Sequence, residues 1–266
     1  MKLITFDPFR TLGLPGVHYI KPELMHDQRA RLLDADWLLF PAYWQLHSLH
    51  YVLGRPIFPS LASYHLGHDK VEMTRALKLA CPEHLPETDI LPAGPHGISQ
   101  VLDTWRFPFV AKQIRSSQGS GVFLIESRQQ LLDYAAHSEG LYIQKLLPIV
   151  RDLRVVVVGR DVIASYWREG TSFHNNLARG ARVRTDLPVP EPALALVTRL
   201  ARELGIDHAG FDVAWVEGRP YVLEFNRLFG NRGMPELPQL IGAAMRGYLL
   251  GEASPDTPEP PMTFSA

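Results

Sequence analysis

The stretch AGFDVAWVEGRPYVLEFN, from Ala209 to Asn226, constrains this chain more than any other. Phe211, Val213 and Trp215 alternate with Asp212, Ala214 and Val216. Glu217, Gly218, Arg219 and Pro220 supply turn chemistry, and Tyr221, Leu223 and Phe225 then alternate with Val222, Glu224 and Asn226. A period of two on either side of turn residues predicts a β-hairpin whose large apolar side chains share one face. A loop of odd length, three or five residues, sets Asp212 opposite Glu224, with Asn226 two residues along on the same face. Carboxylates gathered this closely on a half-buried sheet repel one another and are costly to desolvate. Either a hard cation such as magnesium or manganese lies between them, or the face is solvated and the acids are unconnected.

The chain has 266 residues, 46% of them hydrophobic, and a formal net charge of −1, enough for more than one core in a soluble globular protein. That balance suggests neither a nucleic-acid nor a membrane partner. The single cysteine, Cys81, excludes an intrachain disulfide framework. The opening MKLITFDPFR lacks the apolar run of a secretory signal, and no apolar stretch approaches the ~20 residues of a membrane-spanning helix. A reducing cytoplasm is the expected location; a homo-oligomer is left open.

Residues 1–66 read as a short α/β domain: a strand at Lys2–Phe6, a helix around Pro22–Leu33, a strand at Trp37–Phe40 and a helix at Gln45–Leu53. A helix opening between His65 and Lys70 runs through Leu79 and stops before Pro82. Strands follow at Phe109–Ile114, Val122–Ile125 and Leu141–Gln144, with a helix from Ser127 to His137. VVVVG and VIASYW suggest a second hairpin, and Pro192–Leu204 a helix before the Ala209–Asn226 stretch. The fold class is α/β with mixed layers. The expected division is 1–66, 67–146, 147–251 and a flexible tail at 252–266, where four prolines are expected to prevent packing.

In PFVAKQIRSSQGSGVFLIE, Lys112 sits on a strand before a polar, glycine-containing loop from Ser116 to Gly121. Glycines allow close backbone approach, and N–H groups with serine hydroxyls can meet phosphate oxygens; a plain hairpin turn is the alternative. The Gly-Lys-Ser ending of a P-loop is absent. A lysine inside an apolar strand needs an anionic partner unless it snorkels from an edge.

Taken in order, DKVEMTRALKLACPEHLPET with Lys70, PFVAK with Lys112, SSQGSG, YIQKLLP, RDLRVVVVG, NNLARG, FDVAWV and VLEFN resemble the ATP-grasp superfamily. The nearest pattern is its RimK-like carboxylate–amine ligases, and the match covers about Asp69 to Gly233. The resemblance implies an ATP-grasp fold with ATP between two α+β subdomains and a short pre-ATP-grasp unit in front. Lys70 and Lys112, the loop residues Ser117, Gln118, Gly119, Ser120 and Gly121, and Gln144, Lys145 and Leu147 would contact the nucleotide. Asp212, Glu224 and Asn226 would hold Mg²⁺ or Mn²⁺, in agreement with the pairing argument. Arg154, Arg168, Arg179 and Asn176 would face the phosphates and the acceptor acid, where a guanidinium clamps oxyanions; structural ion pairs are the alternative for each arginine.

The implied activity is ADP-forming ligation of a carboxylate, from a small molecule or peptide, to an amine through an acylphosphate. Phosphoryl transfer to a hydroxyl and nucleotide binding without turnover are the alternatives. The chain departs from the family in its short N-terminal unit and in Arg227 to Gly233, which adds Arg227 and Arg232 beside the implied phosphate site. His47 with His50 and His65 with His68 have a spacing that fits one helix face, but no accompanying motif raises a zinc site above ordinary polar surface. Cys81, at a helix end before Pro82, has no base nearby in sequence.

Overall fold

The computed structural model describes residues 1–114, 121–170, 182–230 and 233–251. Its strands form three sheets. The first is parallel, in the order β2-β1-β3-β4, from β1 (Leu3–Thr5), β2 (Val17–Tyr19), β3 (Trp37–Leu39) and β4 (Ile57–Phe58). Helix α1 (Arg29–Leu33) precedes β3 and α2 (Leu61–Leu66) follows β4. The helix expected over Pro22–Leu33 is broken: Pro22–Leu24 and His26–Gln28 are 3-10 turns, and only α1 is α-helical. The helix expected at Gln45–Leu53 is a π-turn, Ser48–Val52. Before it, the Gln45 amide oxygen accepts from the Ala42 N–H at 2.8 Å.

The helix expected to open between His65 and Lys70 and to stop before Pro82 opens at Lys70 and ends at Ala80, separate from α2. Asp69 is extended (φ −129°), and its carboxylate accepts from the N–H groups of Val71 (2.7 Å) and Glu72 (3.4 Å), capping α3 (Lys70–Ala80). That cap leaves Lys70 as the first helical residue, its position fixed by the turn. Met73, Leu77 and Cys81 on and beyond α3 enter the core of the large sheet described below.

The second sheet, order β5-β8-β6-β7, is formed by β5 (Thr88–Pro92), β6 (Phe109–Lys112), β7 (Val122–Ile125) and β8 (Gly140–Gln144). α4 (Pro95–Thr104) and α5 (Arg128–Ala136) contribute Val101, Leu131, Tyr134 and Ala135 to its own core.

The third sheet is antiparallel, order β11-β10-β9-β12-β13: β9 (Arg151–Val158), β10 (Asp161–Glu169), β11 (Arg182–Arg184), β12 (His208–Val216) and β13 (Arg219–Asn226). Alternation along β9 explains its two faces. Leu153, Val155 and Val157 pack with α6 (Glu191–Glu203), while Val156 and Val158 pack with Leu3, Leu39, Phe40 and Phe58 of the first sheet and with Met245 and Leu249 of α7 (Leu237–Leu250). On the second face, the row that reads valine at 158 and 156 becomes charged at Arg154 and Asp152. The apolar seal against the N-terminal sheet thus gives way to an ionic site along one strand.

The hairpin reaches the expected pairing by a different route. Its loop has two residues, Glu217 (φ 50°) and Gly218 (φ 79°), the pair of positive φ angles of a type I′ turn. Arg219 pairs with Val216 and Val222 with Val213; unaltered, that register would place Leu223 opposite Asp212. A bulge at Leu223 inserts one residue, and Asp212 pairs with Glu224. Val222 therefore joins Phe211, Val213 and Phe225 in the core, where alternation alone would have put Leu223. Pro220 is accommodated because β13 is an edge strand.

Candidate active site

Sheet register assembles the site. Tyr166, Arg154, Asp212 and Glu224 stand in one row across β10, β9, β12 and β13, and Arg168 is paired with Asp152. Asp212 is buried between two guanidiniums: Arg154 Nε lies 2.6 Å from its Oδ1 and Nη2 3.3 Å from its Oδ2, while Arg168 Nη2 lies 2.9 Å from Oδ2. Arg168 Nε donates to Asp152 Oδ1 at 2.7 Å. All four side chains are buried, and two positive and two negative charges balance. Burial pushes the Asp212 carboxyl up, but Arg154 and Arg168 outweigh it and hold Asp212 below the usual carboxylate range. For Asp152 burial wins over Arg168, the negative charge of Asp212 adds to it, and its pKa is raised.

Asp152 was not singled out in the sequence. The signal was available: in RDLRVVVVG, Asp152 and Arg154 are two apart in a valine-rich strand, and charged residues at that spacing share a face. Gly210 was also missed. A Cβ there would lie 2.5 Å from Arg154 Nη1 and 3.0 Å from its Cδ, so the side chain of Arg154 runs across a surface that only glycine leaves open.

Beside this network two lysines converge from other elements. Lys112, at the end of β6, is buried, donates to the Leu223 carbonyl at 3.4 Å and has its Nζ 5.6 Å from the Tyr142 ring centre. The carbonyl that receives it belongs to the bulged residue, so the bulge ties the second and third sheets together. Lys70, first in α3, lies 4.0 Å from Glu224 Oε2. Burial lowers the pKa of both lysines, with Glu224 acting against it in each case. Asn226 Nδ2 donates to Glu224 Oε1 at 3.1 Å.

The remaining expected contacts are distributed as follows. Gln144 is buried and donates to the Thr88 hydroxyl at 2.9 Å. Lys145 is exposed and its N–H is taken by the Glu87 carbonyl at 2.9 Å, while the Leu147 carbonyl accepts from Ile149 N–H at 2.9 Å. Gly121 accepts from Gln113 N–H at 2.7 Å where β7 begins. Ser117, Gln118, Gly119, Ser120, Asn176, Arg179 and Arg232 lie outside the described residues, as does the tail 252–266.

Among the described residues no group of three or more His, Cys, Asp or Glu side chains is placed to hold a metal ion. The histidine pairs are aromatic instead: His68 stacks on Tyr43 (4.3 Å, 23°), and His47 meets His65 at 6.1 Å. Cys81 is fully buried, and burial pushes its thiol up to about 11, which keeps it protonated.

The same architecture recurs in solved structures. A RimK-domain ATP-grasp protein from Sphaerobacter thermophilus superposes with a TM-score of 0.70 at 18% identity, covering 94% of this chain and 100% of that one. The D-alanine–D-alanine ligase of Bacillus anthracis gives 0.69 at 16% identity, covering 95% and 96%. The likeness to these structures shows the ATP-grasp fold. Residues 69–241 match the RimK-like ATP-grasp domain. A probable alpha-L-glutamate ligase of Enterobacter sp. is 30% identical over 218 residues, covering 74% of this chain and 71% of its own. A ribosomal protein bS6–L-glutamate ligase of Escherichia fergusonii is 28% identical over 216 residues, covering 75% and 71%. This chain belongs to the RimK-like ATP-grasp family.

Proposed function

We propose that ATP lies in the cleft between the second and third sheets, with its phosphates at Lys70 and Lys112 and its transferable phosphoryl group facing Arg154 and Arg168. The observation that carries this reading is the convergence of Lys70, Lys112, Arg154 and Arg168 from four elements on Asp212 and Glu224. Burial lowers the pKa of both lysines, and the negative charge of a polyphosphate beside them would favour their charged forms.

The residues present also fit Mg²⁺. Asp212 Oδ1 is buried and outside hydrogen-bond geometry with any group, although Arg154 Nε is near it. Glu224 and the amide oxygen of Asn226 complete a set of hard oxygen donors, few enough that the ion would keep phosphate oxygens and water as its other ligands. When bound, the ion would supply positive charge that offsets the charge of the phosphates.

The substrate carboxylate attacks the γ-phosphorus of ATP, a P–O bond forms as the bond to ADP breaks, and the amine then attacks the acyl carbon. Phosphate leaves, and the amine gives up a proton. Arg168 and Arg154 act by placement: their cationic planes offset repulsion between an anionic acid and an anionic triphosphate. Asp152 and Asp212 hold those planes in position. The segments carrying Arg179, Asn176 and Ser117 to Gly121 would complete the phosphate and acceptor contacts, with Gln144, Lys145 and Leu147 on the adenine side. We place the protein in the cytoplasm; no helix among the described residues is long and apolar enough to cross a membrane.

The test is ADP release with candidate acids, with hydroxylamine in place of the amine. Hydroxamate formed in step with ADP supports the acylphosphate; ADP accompanied by a stable phosphate ester and no hydroxamate would favour transfer to a hydroxyl.

A further inference from the structure

Helix α3 presents two stripes of side chains, each with a spacing of four residues. Met73 and Leu77, continued by Cys81 past the helix end, enter the core of the third sheet, and Met73 Sδ accepts from the Phe225 N–H of β13 at 3.4 Å. Lys70, Thr74 and Lys78 form the second stripe. Lys70 lies 4.0 Å from Glu224 Oε2, the Thr74 hydroxyl lies 2.7 Å from that of Tyr142, and Lys78 Nζ donates to the Thr88 carbonyl at 2.5 Å. Tyr142 is on β8 and Thr88 on β5, so this stripe fastens α3 to the second sheet while the first fastens it to the third.

Tyr142 also serves Lys112. The two residues stand opposite each other in the register of β6 and β8, with Lys112 Nζ 5.6 Å from the ring centre. Their backbones are tied to α5 through one hydroxyl: Tyr134 donates to the Lys112 carbonyl at 2.7 Å and accepts from the Tyr142 N–H at 3.1 Å. Thr74 and Tyr142 are both buried, and burial pushes the Tyr142 phenol up to about 12, so it keeps its proton. A single side chain thus meets Lys112 with its ring and the Lys70 helix with its hydroxyl. The two lysines repel, since the charge of Lys112 lowers the pKa of Lys70.

We infer that Thr74 and Tyr142 are positioning residues of the nucleotide site: their hydroxyl pair sets the separation of Lys70 and Lys112, and with it the grip of the two cations on the phosphates of ATP. The inference rests on the reading that places those phosphates at the two lysines. The charges of a polyphosphate are spaced by covalent bonds, so two cations on different elements serve it only when their own spacing is held. Packing of α3 against the third sheet does not supply that hold, because Lys112 belongs to the second. The hydroxyl pair spans the two. Buried hydroxyls pair with something in any fold, so the role is told from simple satisfaction by what happens when both are removed together.

The experiment is calorimetric titration of the full chain with ATP and Mg²⁺, with a thermal melt of each variant. Tyr142→Phe keeps the ring beside Lys112 and removes only the hydroxyl; Thr74→Val does the same from the other side. Each leaves one buried hydroxyl without its partner, and Tm falls by about 2–12 °C. The double variant removes both, and its Tm falls no further than that of the worse single, since two apolar replacements leave nothing unpaired between them. ATP affinity follows a different pattern: it weakens by about tenfold in each single variant and stays weak in the double. Thr74→Ser, which keeps the hydroxyl, binds ATP within about threefold of the unaltered protein. A loss of less than about threefold in either single, recovery of affinity in the double, or Thr74→Ser as weak as Thr74→Val overturns the positioning role. ATP binding that is indifferent to both hydroxyls leaves the nucleotide reading standing, whereas an unaltered protein that does not bind ATP refutes that reading and the role with it.

Discussion

Asp212→Asn separates the two tasks that the structure gives one carboxylate. The isosteric amide keeps the shape and one acceptor oxygen but removes the negative charge that lies 2.6 Å from Arg154 Nε and 2.9 Å from Arg168 Nη2. Two buried positive charges then face only Asp152. Arg168 keeps Asp152 at 2.7 Å, and loss of the neighbouring Asp212 charge lets Asp152 ionise more readily. The cost therefore falls on Arg154, for which Asp212 is the one paired carboxylate among the described residues. Removing one partner of a buried pair costs about 3–5 kcal/mol. At about 2–4 °C per kcal/mol for a chain of this size, Tm falls by roughly 6–20 °C.

Glu224→Gln is the control. Its side chain is 25% exposed and its lysine partner is 4.0 Å away, so its loss costs about 1 kcal/mol or less and Tm moves by only a few degrees. Both variants lose metal-dependent turnover. Differential scanning calorimetry together with an ADP-release assay reads the two effects separately. If Asp212→Asn melts within about 2 °C of the unaltered protein, the ionic balance argued for this network is wrong.

Lys112→Met removes a desolvated cation from an apolar strand, so the variant is at least as thermally stable as the unaltered protein, while the rise in Tm that ATP produces is lost; a melt with and without ATP measures both. Gly210→Ala drives a methyl group to 2.5 Å from Arg154 Nη1; the expected outcome is turnover lowered more than tenfold with a stability loss of about 1–3 kcal/mol, read by kinetics and chemical denaturation. Asp207 and His208 oppose each other with pH. Burial holds Asp207 up to about 6, so its share of stability is lost as pH rises from its unfolded value of 3.8 through 6. Burial holds His208 down to about 4, so its share is present above 6.5 and is lost as pH falls toward 4. In Asp207→Asn the contribution of His208 is no longer opposed by Asp207, and Tm between pH 4.5 and 6.5 climbs more steeply than in the unaltered protein; an unchanged slope would contradict the assignment.

Much of the site was legible because it is built from short-range pattern. Alternation in β12 and β13 gave the face of Asp212, Glu224 and Asn226, and an apolar strand ending in Lys112 marked a lysine in need of an anion. The order of these segments along the chain carried the family. Local rules were weaker where local interactions compete closely. The segment from Pro22 to Leu33 kept only α1 as α-helix, and Gln45–Leu53 kept only a π-turn at Ser48–Val52.

Tertiary structure decided the rest, because it depends on register and on partners far apart in sequence. Alternation could not disclose the bulge at Leu223, which restores the Asp212–Glu224 pairing after a two-residue turn and turns a carbonyl toward Lys112, 111 positions away. Sequence suggested a cation between two repelling acids. The fold also brings Arg154 and Arg168 onto Asp212 from two other strands, and Asp152 behind Arg168, which no single strand's pattern disclosed. A sequence specifies which side chains share a face, since that follows from the geometry of one strand; which faces meet is set by the packing of whole sheets.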